Sequence, residues 1–116
     1  MKRVLIIDDD EQTRSALRHM LESLNCEVYE AADGQEGIDS FRKNPTDIVV
    51  TDIYLPGDNG LQVIMVLERE FPGIKIVAIS GVETDYIDNL QAAKDFGAAH
   101  CIRKPVSFED IRGILE

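Results

Sequence analysis

The chain has 116 residues, of which 44% are hydrophobic, and this length and composition predict one globular domain over residues 1–116. Its net charge of −10, from 12 basic and 22 acidic side chains, disfavours direct binding to the phosphate backbone of a nucleic acid. The longest unbroken apolar run, residues 63–67, is too short to span a membrane, and no signal peptide is recognised, so a cytoplasmic location is expected.

Short apolar segments alternate along the chain with segments of helical spacing, and this pattern predicts five β-α units. The predicted strands cover residues 3–7, 27–31, 47–51, 75–79 and 100–103. The segments that follow them place apolar residues mostly three or four positions apart, as on one face of a helix. These predicted faces are Ala16, Leu17, Met20, Leu21 and Leu24; Ile38 and Phe41; Leu61, Ile64, Leu67 and Phe71; Ile87, Leu90 and Phe96; and Ile111, Ile114 and Leu115.

Polar residues before four of these segments are predicted N-caps, whose side chains accept hydrogen bonds from the first turn. They are Asp33, Asn59, Thr84 and Ser107. The first and fourth strands are apolar on both faces, as in central parallel strands covered by helices on both sides. The predicted fold is therefore α/β: a doubly wound, five-stranded parallel sheet with the flavodoxin-like strand order 2-1-3-4-5.

Charged, polar and glycine residues follow four of the five predicted strands. They are Asp8, Asp9 and Asp10 after the first strand, Asp52 after the third, Ser80 and Gly81 after the fourth, and Lys104 and Pro105 after the fifth. In doubly wound sheets the functional crevice lies outside the carboxyl ends of the strands, where the strand order reverses. The sequence therefore predicts that these residues meet in one crevice.

The predicted crevice has the groups that a divalent cation and phosphoryl chemistry require. The carboxylates of Asp8, Asp9 and Asp52 repel one another, and Mg²⁺ (or Mn²⁺) relieves such repulsion by binding carboxylates together with phosphate oxygens. A carboxylate can also be the nucleophile in phosphoryl transfer. Lys104 and Ser80 supply a cation and a hydrogen-bond donor for the transferred group.

Four motifs give the chain a resemblance to a known family. They are LIIDDD at residues 5–10, TDIYLPGDNG at 51–60, AISG at 78–81 and RKP at 103–105. In this order, and at strand ends, they make the whole chain resemble a two-component response-regulator receiver domain. The resemblance implies that Asp52 accepts a phosphoryl group from a sensor histidine kinase or a phosphotransfer protein in a Mg²⁺-dependent reaction, and that the domain then switches conformation.

The resemblance also implies the metal ligands. Asp9 and Asp52 would bind Mg²⁺ directly, together with the backbone carbonyl of Tyr54, and Asp8 would act through a metal-bound water. By the same resemblance the domain would catalyse its own phosphorylation and dephosphorylation. It would do so without turning over a separate substrate, and so would not be an enzyme in the ordinary sense.

Residues on the other side of the crevice are implied to bind the phosphoryl group. Ser80 would donate to a phosphoryl oxygen, and Lys104 would form an ion pair with the group. Gly81, next to Ser80, leaves room for the group beside the strand. The Lys104–Pro105 peptide bond is expected to be cis, as in the family, since cis bonds are nearly confined to proline.

Two positions depart from the family pattern. Asn59 stands where the family usually has aspartate, and it still suits a helix N-cap. Cys101 stands where the family usually has Tyr, Phe or His, an aromatic residue that changes rotamer as the hydroxyl residue moves. This departure leaves phosphotransfer intact and changes the usual route to output. A cysteine in a strand is more often a small core residue than a redox sensor.

The resemblance implies partners as well. Besides the phosphoryl donor, these are an output domain or partner protein that binds the face formed by the fourth helix, the fifth strand and the fifth helix. The resemblance also allows a homodimer that forms on phosphorylation, and the sequence does not decide the oligomeric state. No direct contact with nucleic acid or membrane is expected.

Two other functions share parts of this pattern. A metal-dependent phosphatase with an aspartate nucleophile needs an acid two residues after that nucleophile, where this chain has Tyr54, and a cap domain for its substrate. A flavin-binding domain of similar architecture needs a hydroxyl- or glycine-rich loop after the first strand, where this chain has three aspartates. Turnover of an aryl phosphate would identify the first, and the colour of bound flavin the second.

Overall fold

A computed structural model of the chain describes residues 1–55, 58–81 and 86–116, and for residues 58, 59 and 86–90 it describes the backbone alone. Within these residues the main sheet consists of β1 (Arg3–Ile7), β2 (Glu27–Ala31), β3 (Ile48–Asp52), β4 (Lys75–Ser80) and β5 (His100–Arg103). The helices are α1 (Glu11–Ser23), α2 (Gly34–Lys43), α3 (Gly60–Glu70), α4 (Tyr86–Phe96) and α5 (Phe108–Leu115). A short antiparallel ladder, which the sequence did not predict, pairs Tyr54–Leu55 with Asp58–Asn59.

The main sheet is parallel throughout, with the order β2-β1-β3-β4-β5. This order confirms the predicted doubly wound topology. The chain first winds outward from β1 to β2 and then crosses back to β3 on the other side of β1. The strand order therefore reverses between β1 and β3, and parallel sheets of this kind form their crevice at that point.

The core has two halves, because successive side chains of a strand point to opposite faces of the sheet. In β1, Val4 and Ile6 face one side and Leu5 and Ile7 face the other, and all four are fully buried. The first side is covered by apolar residues of α1 and α5, namely Leu17, Leu21, Ile111 and Ile114. The second is covered by residues of α2, α3 and α4, namely Ile38, Phe41, Val63, Ile64, Leu67 and Ala93.

Helix N-caps agree with the sequence where the structure describes them. The side chain of Asp33 accepts a hydrogen bond from the backbone N–H of Glu36. Ser107 and Asp110 form a reciprocal capping box at the start of α5. The predicted cap Thr84 lies outside the described residues, as does the side chain of Asn59.

Among the described residues, two that were assigned to apolar helix faces are exposed instead, namely Ala16 on α1 and Phe96 on α4. Phe96, the last residue of α4, is 41% exposed, whereas Ala93, three residues earlier, is fully buried against the sheet. The pattern was read from large apolar side chains, but α4 packs closely enough on the sheet to require a small one. Of the helices in the described ranges, none has both the length and the apolar character to cross a membrane.

Candidate functional site

The carboxyl ends of β1, β3 and β5 bring three charged side chains together. Ile7 pairs with Thr51 across the two central strands, so Asp8 and Asp52, which follow them, lie side by side. Asp52 is itself the last residue of β3, one residue beyond the predicted strand end. Lys104 is the first residue after β5. The strand ends therefore determine the positions of both acids and of the cation that lies between them.

Lys104 bridges the two central carboxylates. Its Nζ donates a hydrogen bond to Asp52 Oδ2 at 2.7 Å and lies 2.9 Å from Asp8 Oδ2. Asp8 is fully buried, and Asp52 is only 5% exposed. Asp9 is exposed, and ligand atoms of Asp8, Asp9 and Asp52 lie within 4.8 Å of one another. Two buried acids, one exposed acid and one ammonium thus share a single site.

One oxygen of Asp8 is incompletely satisfied. Asp8 Oδ2 is buried and accepts no hydrogen bond of suitable angle from the described residues, although Lys104 Nζ is near enough for an ion pair. Lys104 Nζ lies 2.9 Å from this oxygen as an ion pair, without the angle of a well-directed hydrogen bond. A buried carboxylate oxygen without a directed donor is an available ligand for a cation.

The site shifts the proton affinities of its central pair. Burial raises the pKa of Asp52 above its usual value, and the hydrogen bonds from Lys104 and from the backbone N–H of Tyr54 offset only part of this effect. For Lys104, burial acts to lower the pKa, but its contacts with Asp52 and Asp8 outweigh burial and raise it. The raised pKa of Lys104 favours its charged form, whereas burial makes the charged form of Asp52 less favourable than that of an exposed aspartate.

The other predicted site residues border this group. Tyr54 donates its backbone N–H to Asp52 Oδ1 at 2.8 Å, which orients the carboxylate. Ser80 is fully buried at the end of β4, and its carbonyl accepts the backbone N–H of Lys104 at 2.8 Å. A Cβ atom on Gly81 would lie 3.3 Å from Lys104 Cδ, so the lysine side chain packs closely across this glycine. The Lys104–Pro105 peptide bond is cis.

Cys101 lies behind the site rather than in it. It pairs with Ala78 in the ladder between β4 and β5 and packs, half-buried, against the core on the α2–α4 side of the sheet. Burial raises the pKa of its thiol, and the charge of Lys94 opposes that shift. This environment agrees with the prediction of a small packing residue.

Two further residues lie at the site and were not predicted from the sequence, namely Arg14 and Gly60. Arg14, on α1, donates from Nη1 to the carbonyl oxygen of Asp8 at 2.7 Å. Gly60, at the start of α3, lies against the backbone of Asp52 and Ile53. No local pattern reveals the contact of Arg14, since it depends on how α1 packs on the sheet. For Gly60, the glycine at the end of TDIYLPGDNG is a local signal for close backbone approach, but it does not indicate which backbone is approached.

The fold is a doubly wound α/β domain with a cluster of carboxylates at the carboxyl ends of its strands, and comparison with known proteins identifies the family. The model of the response regulator receiver domain matches residues 4–116, and the chain belongs to this family. Receiver domains act in two-component signalling and in general are not enzymes that turn over a separate substrate. The prediction made from the four sequence motifs is thereby confirmed at the level of the family.

Individual relatives agree. The chain is 31% identical over 109 residues to the response regulator MprA of Mycobacterium sp. (strain KMS), with 94% of this chain and 46% of that protein covered. It is 24% identical over 115 residues to the sporulation initiation phosphotransferase F of Bacillus subtilis, covering 99% and 91%. Among solved structures, a CheY-like receiver domain protein from Methanospirillum hungatei JF-1 has a TM-score of 0.91 and 28% identity, covering 99% and 90%. The chain thus spans about half the length of the MprA protein and nearly all of the other two.

Proposed function

We propose that this chain receives a phosphoryl group on Asp52 from the phosphohistidine of a sensor histidine kinase or phosphotransfer protein, in a reaction that depends on Mg²⁺. The observation that carries the proposal is the contact between Lys104 Nζ and Asp52 Oδ2, 2.7 Å, inside a cluster of three carboxylates. An ammonium at that position can pair with the charge that a phosphoryl group would bring to Asp52.

The carboxylates fit a hard divalent cation. When the three carboxylates and the Lys104 ammonium are ionised, the cluster has a net charge of −2, which one Mg²⁺ or Mn²⁺ neutralises. Asp9, Asp52 and the backbone carbonyl of Tyr54 would hold the cation directly, and Asp8 through a bound water. When bound, the cation would offset negative charge on the phosphoryl oxygens.

In the transfer itself, residues of the chain would supply the nucleophile, orient the phosphoryl group and balance its charge. An Asp52 oxygen attacks phosphorus, the bond between phosphorus and the donor nitrogen breaks, and the imidazole leaves with that electron pair, neutral when its other nitrogen carries a proton. Lys104 pairs with the transferred group, and the Ser80 hydroxyl donates to one of its oxygens. Gly81 leaves space for the group beside β4.

The signal would pass to an output domain or partner protein through the surface of α4, β5 and α5, with a phosphorylation-dependent homodimer as one form of output. Residues 1–116 would act as one receiver domain in the cytoplasm. This chain spans 46% of the MprA relative and 91% of the sporulation initiation phosphotransferase F, so relatives of both lengths exist, and the output would be either a further domain or a separate protein. Cys101 takes the usual aromatic position on β5, so the output route would differ from that of most relatives.

Intact-mass spectrometry after incubation with acetyl phosphate tests the proposal. With Mg²⁺ the wild type is expected to gain the mass of one HPO₃ group, and with EDTA it is expected to gain none. Asp52→Asn should abolish the gain. The matched control is Asp39→Asn, which removes an exposed carboxylate on α2 and should be labelled like the wild type.

Three outcomes would contradict the proposal. The first is equal labelling of the wild type and Asp52→Asn, which would place the phosphoryl group elsewhere. The second is labelling that proceeds unchanged in EDTA, which would remove the metal requirement. The third is sustained turnover of an aryl phosphate without a stable adduct, which would indicate a phosphatase.

A further inference from the structure

Asp8 is held through nearly all of its polar atoms. Its backbone N–H donates to the carbonyl of Ala31 on β2 at 3.1 Å. Its Oδ1 accepts the backbone N–H of Asp10 at 2.9 Å, and its carbonyl oxygen accepts Arg14 Nη1 at 2.7 Å. Its fourth polar atom, Oδ2, faces Lys104. Three contacts therefore direct one carboxylate oxygen into the cluster, and Arg14 provides the only one of the three that is made by a side chain.

The hydrogen bond from Arg14 to the carbonyl of Asp8 also affects the position of Asp9. A peptide unit is planar, so a hydrogen bond to the carbonyl of Asp8 fixes the plane that links Asp8 to Asp9. That plane sets the direction in which Asp9 leaves the strand end. Because Asp9 is exposed, the surrounding core does not hold its carboxylate, and its placement near Asp8 and Asp52 depends on this backbone.

Arg14 is well suited to hold a backbone oxygen, because its guanidinium is itself fixed. Its Nε donates to Glu30 Oε1 at 3.2 Å, and its side chain is only 17% exposed. The other carboxylate oxygen of Glu30 accepts Arg18 Nε at 2.6 Å. Glu30 belongs to β2, so the network joins α1, an outer strand and the end of β1. A guanidinium can make such divergent contacts because its donors lie in a rigid plane.

We propose that Arg14 is a positioning residue for the metal and phosphoryl site, which acts by fixing the peptide between Asp8 and Asp9 while Glu30 holds its guanidinium. This inference rests on the proposed function, because it concerns the same carboxylates. It differs from the family-based assignment of ligands in naming a residue that touches neither metal nor phosphoryl group and still sets how well the ligands converge.

Electrostatics and positioning predict opposite results, and this makes the proposal testable. If Arg14 acted only as a nearby positive charge, its removal would strengthen the binding of a cation to the carboxylates. If it positions them, its removal weakens binding, as is common when outer partners of metal ligands are lost. The sign of the change in metal affinity therefore separates the two roles.

The experiment is a calorimetric titration of the folded protein with Mg²⁺, using Arg14→Gln and the matched control Arg18→Gln. Each variant removes one arginine of α1 and one contact to Glu30, but the contacts of Arg18 are with Glu30, Glu22 and the carbonyl of Val28. We expect Arg14→Gln to weaken Mg²⁺ binding about tenfold and Arg18→Gln to change it by less than about twofold. Arg14→Lys, which keeps the charge and loses the planar fork, should bind Mg²⁺ more weakly than the wild type.

Each result has a definite meaning. Mg²⁺ binding by Arg14→Gln that equals or exceeds that of the wild type overturns the proposal, as does an equal loss in Arg18→Gln. If Arg14→Gln does not fold, Arg14→Lys and Glu30→Gln decide, and wild-type affinity in both overturns it. Phosphorylation of the wild type on Asp52 in the same preparations shows that the proposed function stands whichever way Arg14 behaves, and its absence counts against that function instead.

Discussion

Gly60, the first residue of α3, lies directly on the backbone of Asp52. A Cβ atom on Gly60 would lie 2.2 Å from the carbonyl oxygen of Asp52 and 2.6 Å from Cα of Ile53. The backbone N–H of Gly60 also donates to the carbonyl of Ile53 at 2.9 Å. The first turn of α3 thus packs against the backbone of Asp52, the proposed phosphoacceptor, and of Ile53, at a distance that only glycine permits.

We expect Gly60→Ala to destabilise the protein by at least about 2 kcal/mol, because the added methyl group overlaps backbone atoms that cannot rotate away. The control is Gly113→Ala in α5, where an added Cβ meets no atom within 4 Å. That substitution should stabilise the protein by about 0.5–1 kcal/mol, the usual gain from replacing glycine inside a helix. Urea unfolding measures both, and similar stabilities of the two variants would disprove the close approach.

Lys104→Met is expected to leave two buried carboxylates, Asp8 and Asp52, without their shared cation. The free energy of unfolding should fall by about 3 kcal/mol in EDTA at neutral pH, the low end for breaking a buried ion pair, because Lys104 is partly exposed. Millimolar Mg²⁺ should restore part of the loss by supplying positive charge. Lys43→Met, at an exposed position on α2, should change stability by less than about 0.5 kcal/mol. A Lys104 variant as stable as the Lys43 variant would mean that the acids need no cation.

Both thiols should be poor nucleophiles in the folded protein. Burial raises the pKa of Cys26, and it raises that of Cys101 as well, so at a given pH each residue has less thiolate than an ordinary cysteine. We expect alkylation by iodoacetamide at pH 8 to be at least about tenfold slower in the native protein than in urea, with Cys101 faster than the more buried Cys26. Rapid native labelling of Cys101 would instead support a redox role.

The strand ends were predictable because they follow from a rule of parallel sheets. Once five strands are assigned from apolar runs, topology alone brings Asp8, Asp52 and Lys104 to one edge, and the distances of 2.7 and 2.9 Å realise that expectation. The predicted ends of β3 and β4 were each one residue short, which moved Asp52 from the loop into the strand. Such errors are small because the buried side chains already determine the register.

What could not be predicted depends on how helices pack on the sheet. The contact of Arg14 with the carbonyl of Asp8 and the seating of Gly60 on Asp52 are set by the depth and rotation of α1 and α3. The prediction that Phe96 is buried was wrong for a related reason. Whether a large or a small side chain of α4 is buried depends on the gap between the helix and the sheet. Apolar periodicity specifies which face of a helix turns inward but not how closely it approaches.

Cys101 is where the output of this chain should differ from that of its relatives. Cys101 is the strand partner of Ala78, and its small side chain packs against the core next to α4, where the ring of a typical relative would have to move between two positions. We therefore expect the differential contacts that would favour a phosphorylated state to come from the packing of α4 and its neighbours, since a small side chain has no such rotation to offer. We expect Cys101→Ala to keep its response to beryllofluoride, an analogue of the bound phosphoryl group, with self-association or partner binding within about twofold of wild type, because alanine preserves a small apolar contact. Sedimentation of both proteins with and without beryllofluoride measures this. If the alanine variant is labelled normally on Asp52 but no longer responds, the thiol is part of the switch and its assignment as a packing residue is wrong.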